Sequence, residues 1–106
     1  MRFDVFTLLP ETLRPYLGAS ILEKASLRGL IEVHLHNIRD YTHDRHHTTD
    51  DTPYGGGGGM VMKPEPVFEA LETVIGSPPN CPVVLLTPQG RLFDQKIATE
   101  LASHPR

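Results

Sequence analysis

The residues best equipped for chemistry are crowded into one stretch. It reads Arg39-Asp40-Tyr41-Thr42-His43-Asp44-Arg45-His46-His47-Thr48-Thr49-Asp50-Asp51-Thr52-Pro53-Tyr54 and runs into five consecutive glycines, Gly55 to Gly59, and then Met60. Three kinds of site draw on such residues. For a metal site, His43, His46 and His47 with Asp44, Asp50 and Asp51 are all suitable donors. There is no cysteine partner, no second histidine pair at finger spacing and no His-Glu-x-x-His pattern, so the spacing selects no metal. For a phosphate cradle, consecutive glycines let backbone N–H groups come close to an anion. A nucleoside-triphosphate loop then needs Lys and Ser or Thr at the start of a helix, whereas Met60-Val61-Met62-Lys63-Pro64 follows here. For a loop that closes around a polar partner, Arg39 and Arg45 suit phosphates, the aspartates accept from a guanine edge, and glycine backbone lies flat against a base. The same composition also describes a solvated loop whose Asp and Thr residues cap its own turns, and the residues alone leave both open.

A second stretch of interest is Thr87-Pro88-Gln89-Gly90-Arg91, just after the apolar run Pro82 to Leu86. If that run is a buried strand, the loop lies at the carboxyl end of a parallel sheet, where open α/β folds bind ligands. Gly90 then permits a conformation closed to other residues, leaving backbone groups free to hydrogen-bond an adenine. A tight strand-to-helix turn with nothing bound fits the same residues. Other candidates read as structural. Cys81 beside Pro82 is a packing residue. His34 and His36 fall on the polar side of a strand, and Met60 and Met62 fall at core-facing strand positions.

The elements that must position these loops follow from periodicity. Phe3, Val5, Phe6 and Leu8 predict a buried opening strand ending at Leu9-Pro10, and Pro10-Glu11-Thr12 starts a helix. Ile21, Leu22 and Ala25 predict a second helix over Ser20 to Arg28, with Ser20 as N-cap and Gly29 as its left-handed stop. Ile31, Val33 and Leu35 alternate with Glu32, His34 and His36, as a half-buried strand does. From Asn37 to Gly59 there is no period, which predicts a functional or disordered loop, one that favours disorder until something binds. Val67, Phe68, Leu71, Val74 and Ile75 mark one face of a helix beginning at Pro64. Pro82 to Leu86 predicts a buried strand, and Phe93 to Ser103 a last helix with Phe93, Ile97 and Leu101 inward. The alternation predicts one α/β domain with a mainly parallel sheet and flanking helices. Only about three strands are present and the last helix has no strand after it, so the chain reads as the N-terminal part of such a domain.

Composition bounds the partners. The 106 residues leave room for one small domain, at 39% hydrophobic and 22% charged. Ten Lys and Arg against thirteen Asp and Glu give a net charge of −3, which is not the basic footprint of a phosphate binder. Any contact with nucleic acid must be local or lie outside this chain. No apolar run approaches a membrane span, no signal peptide precedes the first strand, and the single cysteine fits a reducing cytoplasm.

Taken together, the two loops resemble one family. Arg39 to His46, Thr49-Asp50-Asp51, Pro53-Tyr54-Gly55-Gly56-Gly57 and Gly59-Met60 are similar to the signature of the bacterial tRNA (guanine-N1)-methyltransferases. Phe6-Thr7-Leu8-Leu9-Pro10-Glu11 resembles that family's first strand and turn. Leu86-Thr87-Pro88-Gln89-Gly90-Arg91 resembles its Ser-Pro-Gln-Gly-Arg loop, with Thr87 in place of the commoner Ser. The resemblance covers essentially the whole chain. It implies a trefoil-knot methyltransferase, working as a homodimer, that moves the methyl group of S-adenosylmethionine to N1 of the guanine 3′ of the anticodon. By position, Leu86, Thr87, Pro88, Gln89 and Gly90 match its first cofactor loop, and His46, Asp50 and Gly59 match positions near the target guanine in tRNA. Guanine N1 carries a proton and needs a carboxylate base, and charge developing at O6 needs a cation. The family places those groups, and the knot, in a later segment. The resemblance therefore implies no catalytic residue here, a base C-terminal of Arg106, and an inactive isolated chain.

Two functions of other classes stand beside this one. A non-catalytic RNA- or partner-binding module would bind RNA without responding to S-adenosylmethionine. A small metal-dependent hydrolase built on the His/Asp loop would hold stoichiometric metal.

Overall fold

A computed structural model describes residues 1–106. Strands β1 (Arg2–Thr7) and β2 (Glu32–Asn37) pair in parallel, Arg2 opposite Glu32 and Thr7 opposite Asn37. Parallel strands need a long crossover, here supplied by helices α1 (Pro10–Leu17) and α2 (Ser20–Leu27). Pro10 occupies the first turn of α1, where its missing N–H costs nothing, and Glu11 pairs with Arg14 at 2.8 Å. Gly29 ends α2 with φ +69°, a left-handed conformation that suits glycine, and the Leu30 N–H donates to the Ala25 carbonyl at 2.9 Å. Ser20 does not cap this helix. It has φ 54°, while Ala19 takes the extended N-cap position without a side-chain bond.

Strand alternation puts Arg2, Asp4 and Phe6 on one face of β1, beside Glu32, His34 and His36 of β2. Asp4 is the centre of that face, with its side chain 5% exposed. Its carboxylate accepts from Arg2 Nε and Nη2, both at 2.9 Å, and from Arg106 Nε at 2.8 Å. His36 Nε2 lies 2.9 Å from Asp4 Oδ1 and its ring stacks on Phe6 at 4.9 Å. His36 is therefore a structural partner rather than the idle polar position expected of it. Burial alone would raise the Asp4 pKa, but the hydrogen bonds from Arg2, His36 and Arg106 outweigh it and hold the carboxyl well below its usual range.

After β2 a 3-10 helix (Ile38–Tyr41) is capped by Asn37, whose Oδ1 accepts from the Arg39 N–H at 3.0 Å. Further on, β3 (Asp50–Asp51) and β4 (Val61–Met62) form a short antiparallel ribbon, Asp50 opposite Met62. Helix α3 (Pro64–Ile75) buries Pro66, Ala70 and Ile75, and the 3-10 helix against it buries Ile38. Phe68, expected inward, is 61% exposed, and lies about 200° round the helix from the buried Pro66 and Ala70. Helix α4 (Gln95–Ala102) starts at Asp94, whose Oδ1 accepts from the Ile97 N–H at 2.9 Å. Phe93 falls before α4 and is 68% exposed rather than inward, lining a shallow apolar hollow with Met1, Phe3 and Leu101.

Three expectations fail more broadly. The run Pro82 to Leu86 forms no strand, and Leu86 is 91% exposed. A strand apolar on both faces needs neighbours on both edges, and no segment of the chain pairs with it. The opening strand is half-buried rather than buried, and Met60 and Met62 of the ribbon region face solvent. The radius of gyration, 16.0 Å, exceeds the about 13 Å of a compact chain of this length. The βαβ unit and the α3 cluster thus carry the packing, and the apolar stretch after Cys81 lies outside it.

Candidate functional site

The stretch from Asn37 to Gly59 has more structure than its sequence period suggests. Asp44 is the organiser of its first half. Its Oδ1 accepts from the Thr48 N–H at 2.9 Å, and Oδ2 from the Thr48 hydroxyl at 2.7 Å and the His46 N–H at 3.3 Å. The Thr48 hydroxyl, then the Thr48 and His46 backbone N–H groups, pull the Asp44 carboxyl down to about 2. The turn so closed places His47 at φ 50°, a left-handed conformation rare for a side chain of its size. Three contacts offset that strain: His47 N–H to the Asp44 carbonyl at 3.1 Å, Arg39 Nη1 to the His47 carbonyl at 3.3 Å, and Thr42 Oγ1 with His47 Nδ1 at 2.9 Å.

The second half is the ribbon. Thr49 precedes it, 1% exposed, and its carbonyl accepts from the Lys63 N–H at 2.8 Å, extending the β3–β4 ladder by one bond. Its buried hydroxyl has no hydrogen-bond partner. Asp50 stands half-buried on β3, whereas Asp51 Oδ1 accepts from the Thr52 N–H at 2.7 Å. The glycine arm joins the strands. Gly55, Gly56, Gly57 and Gly59 all have positive φ, and a Cβ built on any of them meets nothing within 4 Å. Backbone conformation, not crowding, demands glycine there.

A cleft of about 450 Å³ opens between this loop and the start of α3. Tyr41, Asp44, Thr48, Tyr54, Lys63 and Glu69 are among its walls. His46, Asp50 and Gly59 are not: they lie on the same loop but outside the cleft's lining. His43 reaches across to Glu69 on α3, Nε2 to Oε2 at 2.8 Å. The sequence reading did not single out Lys63 or Glu69. Pro64 is the signal that could have found them, since a helix starting there brings its first turns against the loop. The histidines and aspartates do not converge on a common point. His43 is bound to Glu69, His47 to Thr42 and Asp44 to Thr48, and no three potential ligands form a metal-sized cluster.

Thr87 to Gly90 form a separate exposed turn. The Gly90 N–H donates to the Thr87 carbonyl at 3.1 Å and the Gln89 N–H approaches the Thr87 hydroxyl at 3.4 Å. Gly90 does not have positive φ, contrary to expectation. The position is tight instead, since a Cβ there would stand 3.3 Å from the Thr87 carbonyl oxygen. With no strand before it, the turn does not sit at a sheet end, and it shares no hydrogen bond or cavity lining with the glycine-arm loop.

Comparison with known proteins bears on the whole chain. The family profile described as tRNA (Guanine-1)-methyltransferase TrmD matches residues 1–106. A curated Dehalococcoides mccartyi protein named tRNA (guanine-N(1)-)-methyltransferase is 51% identical over 107 residues, covering 100% of this chain and 43% of its own length. A Chloroflexus aggregans protein of the same name is 55% identical, with 100% and 42% covered. The crystal structure of tRNA (m1G37) methyltransferase from Aquifex aeolicus superposes with a TM-score of 0.86 at 34% identity, covering 98% of this chain and 47% of that one. The chain thus spans less than half the length of the relatives it matches. No helix is long and apolar enough to cross a membrane. A profile match over every residue, from the opening strand through the glycine arm to the Thr87 turn and the last helix, places this chain in the tRNA (Guanine-1)-methyltransferase TrmD family.

Proposed function

We propose that this chain is the N-terminal part of the methyltransferase domain, residues 1–106, of a protein that methylates N1 of the guanine 3′ of the anticodon in tRNA. The family match over the whole chain carries the reading. In it, His46, Asp50 and Gly59 lie against the tRNA. Of the aspartates at 44, 50 and 51, only Asp50 has a carboxylate with no hydrogen bond within the chain, since that of Asp44 is held by Thr48 and that of Asp51 by Thr52. An uncommitted carboxylate beside an arm of bare glycine backbone suits the N–H edge of a guanine.

Leu86, Thr87, Pro88, Gln89 and Gly90 form one wall of the S-adenosylmethionine site. The residues present fit that part: the turn is exposed, it is close enough at Gly90 that a Cβ would crowd the Thr87 carbonyl at 3.3 Å, and the carbonyls of Leu86, Pro88 and Gln89 are open to an adenine amino group. Bound S-adenosylmethionine supplies an electrophilic methyl group. What this chain contributes is placement of cofactor and guanine. The base that takes the N1 proton, the cation at O6 and the trefoil knot belong to the part of the protein after Arg106. The full-length protein works as a homodimer in the cytoplasm. Exposed Val83 to Leu86 support the reading of this chain as part of a larger sheet, because such a run gains most from strands laid beside it.

The test is methyl transfer from labelled S-adenosylmethionine to an unmodified tRNA transcript, with the methylated base mapped by primer extension. The full-length protein gives a stop at the guanine 3′ of the anticodon, and the isolated 106-residue chain gives none. A full-length protein that binds tRNA but transfers no methyl would establish the binding-module reading instead.

A further inference from the structure

The loop's sequence offers two arginines to a phosphate, Arg39 and Arg45, and the structure treats them differently. Arg39 is exposed but has a partner within the loop, its Nη1 donating to the His47 carbonyl at 3.3 Å while its backbone N–H donates to Asn37 Oδ1. Arg45 is exposed at the tip of the turn closed by Asp44, and forms no ion pair with any carboxylate of the chain. The nearest acid in sequence, Asp44, has both oxygens engaged by Thr48 and His46. Resting on the tRNA-binding reading above, we infer that Arg45 is the loop's phosphate contact, and that Asp44 is a positioning residue which holds the turn so that Arg45 and His46 point outward together. The low Asp44 pKa keeps that clasp charged at any pH where the protein works.

This placement resolves a difficulty of charge. A chain with net charge −3 gains little from its overall field on approaching RNA, so a contact must come from a cation with no internal partner, held where neighbouring acids are already occupied. A rigid turn also lowers the ordering cost of binding, leaving the glycine arm as the adjustable part.

The test is binding of an unmodified tRNA transcript to the full-length protein across a salt series. Arg45→Ala weakens binding about 10-fold at moderate salt and reduces the slope of log affinity against log salt by about 0.7–0.9, the value of one phosphate contact. Arg45→Lys keeps the slope. Arg39→Ala weakens binding by loosening the turn. Asp44→Ala gives the most discriminating result. Removing a negative charge beside a polyanion strengthens binding if the charge alone matters, whereas loss of a positioning residue weakens it several-fold and lowers the slope. S-adenosylmethionine affinity and melting temperature are measured on every variant, and stay near wild type for Arg45→Ala. Tighter binding by a folded Asp44→Ala variant, or an unchanged slope in Arg45→Ala, overturns the inference while leaving the methyltransferase reading intact. A wild-type protein that does not bind tRNA overturns that reading itself.

Discussion

Thr49→Val should make the protein more stable, although it deletes a polar group from the loop of the candidate site. Thr49 is 1% exposed and its hydroxyl has no partner, while its backbone remains tied to Lys63. A buried hydroxyl without a hydrogen bond costs roughly 1–3 kcal/mol relative to water. Valine has nearly the same shape, is equally β-branched, and brings a methyl where the hydroxyl stood, so the backbone has no reason to move. The expected gain is about 1–2 kcal/mol, or roughly 5–10 °C in a chain of this length. Urea denaturation followed by circular dichroism measures it, with an unchanged m-value as the check that the unfolded state is the same. Thr49→Ser is the control: it keeps the hydroxyl, loses the methyl and lowers stability by about 1 kcal/mol. A Thr49→Val midpoint at or below wild type would refute the reasoning, because it would mean the hydroxyl is satisfied, for example by an ordered water.

Two further outcomes follow from the same geometry. Asp4→Asn turns an acceptor that serves Arg2, His36 and Arg106 into a mixed group and costs about 3 kcal/mol, the low end for a broken buried ion pair because the arginines can regain water. The Asp4 pKa is lowered on folding, so its stabilisation is complete above the unfolded value of about 3.9 and is lost as pH falls towards the lower folded value. An acid titration of stability should show this limb in wild type and a smaller one in Asp4→Asn, where the lowered Asp44 carboxyl still contributes. Gly90→Val drives a branched side chain at the Thr87 carbonyl and should weaken S-adenosylmethionine binding to the full-length protein roughly 10-fold, read by calorimetry, with little change in melting temperature because the turn is exposed.

Local patterns carried much of the fold into the sequence. The strand at Glu32, the helix at Pro64 and the stop at Gly29 each rest on signals that act within a few residues, and each is found. The failures share a different cause. Pro82 to Leu86 has the composition of a buried strand, but a strand exists only with partners, and none in this chain reaches it. Ser20 has the right type for a cap but the chain turns one residue earlier, at Ala19. In the candidate site, residue types were legible and assignments were not. Nothing in the spacing shows that Arg39 finds a partner in the loop while Arg45 does not, because that depends on where the His47 carbonyl points. The Asp44 clasp is local enough to be legible, as an aspartate followed by a threonine four positions on, although it has no helical or strand period. His36 shows the opposite limit: its neighbour Asp4 is 32 residues away and no local pattern links them.

The sequence separations around Asp4 also set an order of events. Arg2 is beside it from the first moments of synthesis, His36 arrives once the βαβ unit closes, and Arg106 lies 102 residues further along. During translation the carboxylate is therefore held first by one arginine and then by a histidine, and the last donor locks in only after everything between has been made. Closing a separation of 102 residues is entropically costly, so that contact is expected to act more on the rate of unfolding than on the rate of folding. Asp4 thus ties the opening strand to Arg106, and the grip on its carboxylate is complete only once that residue has been added.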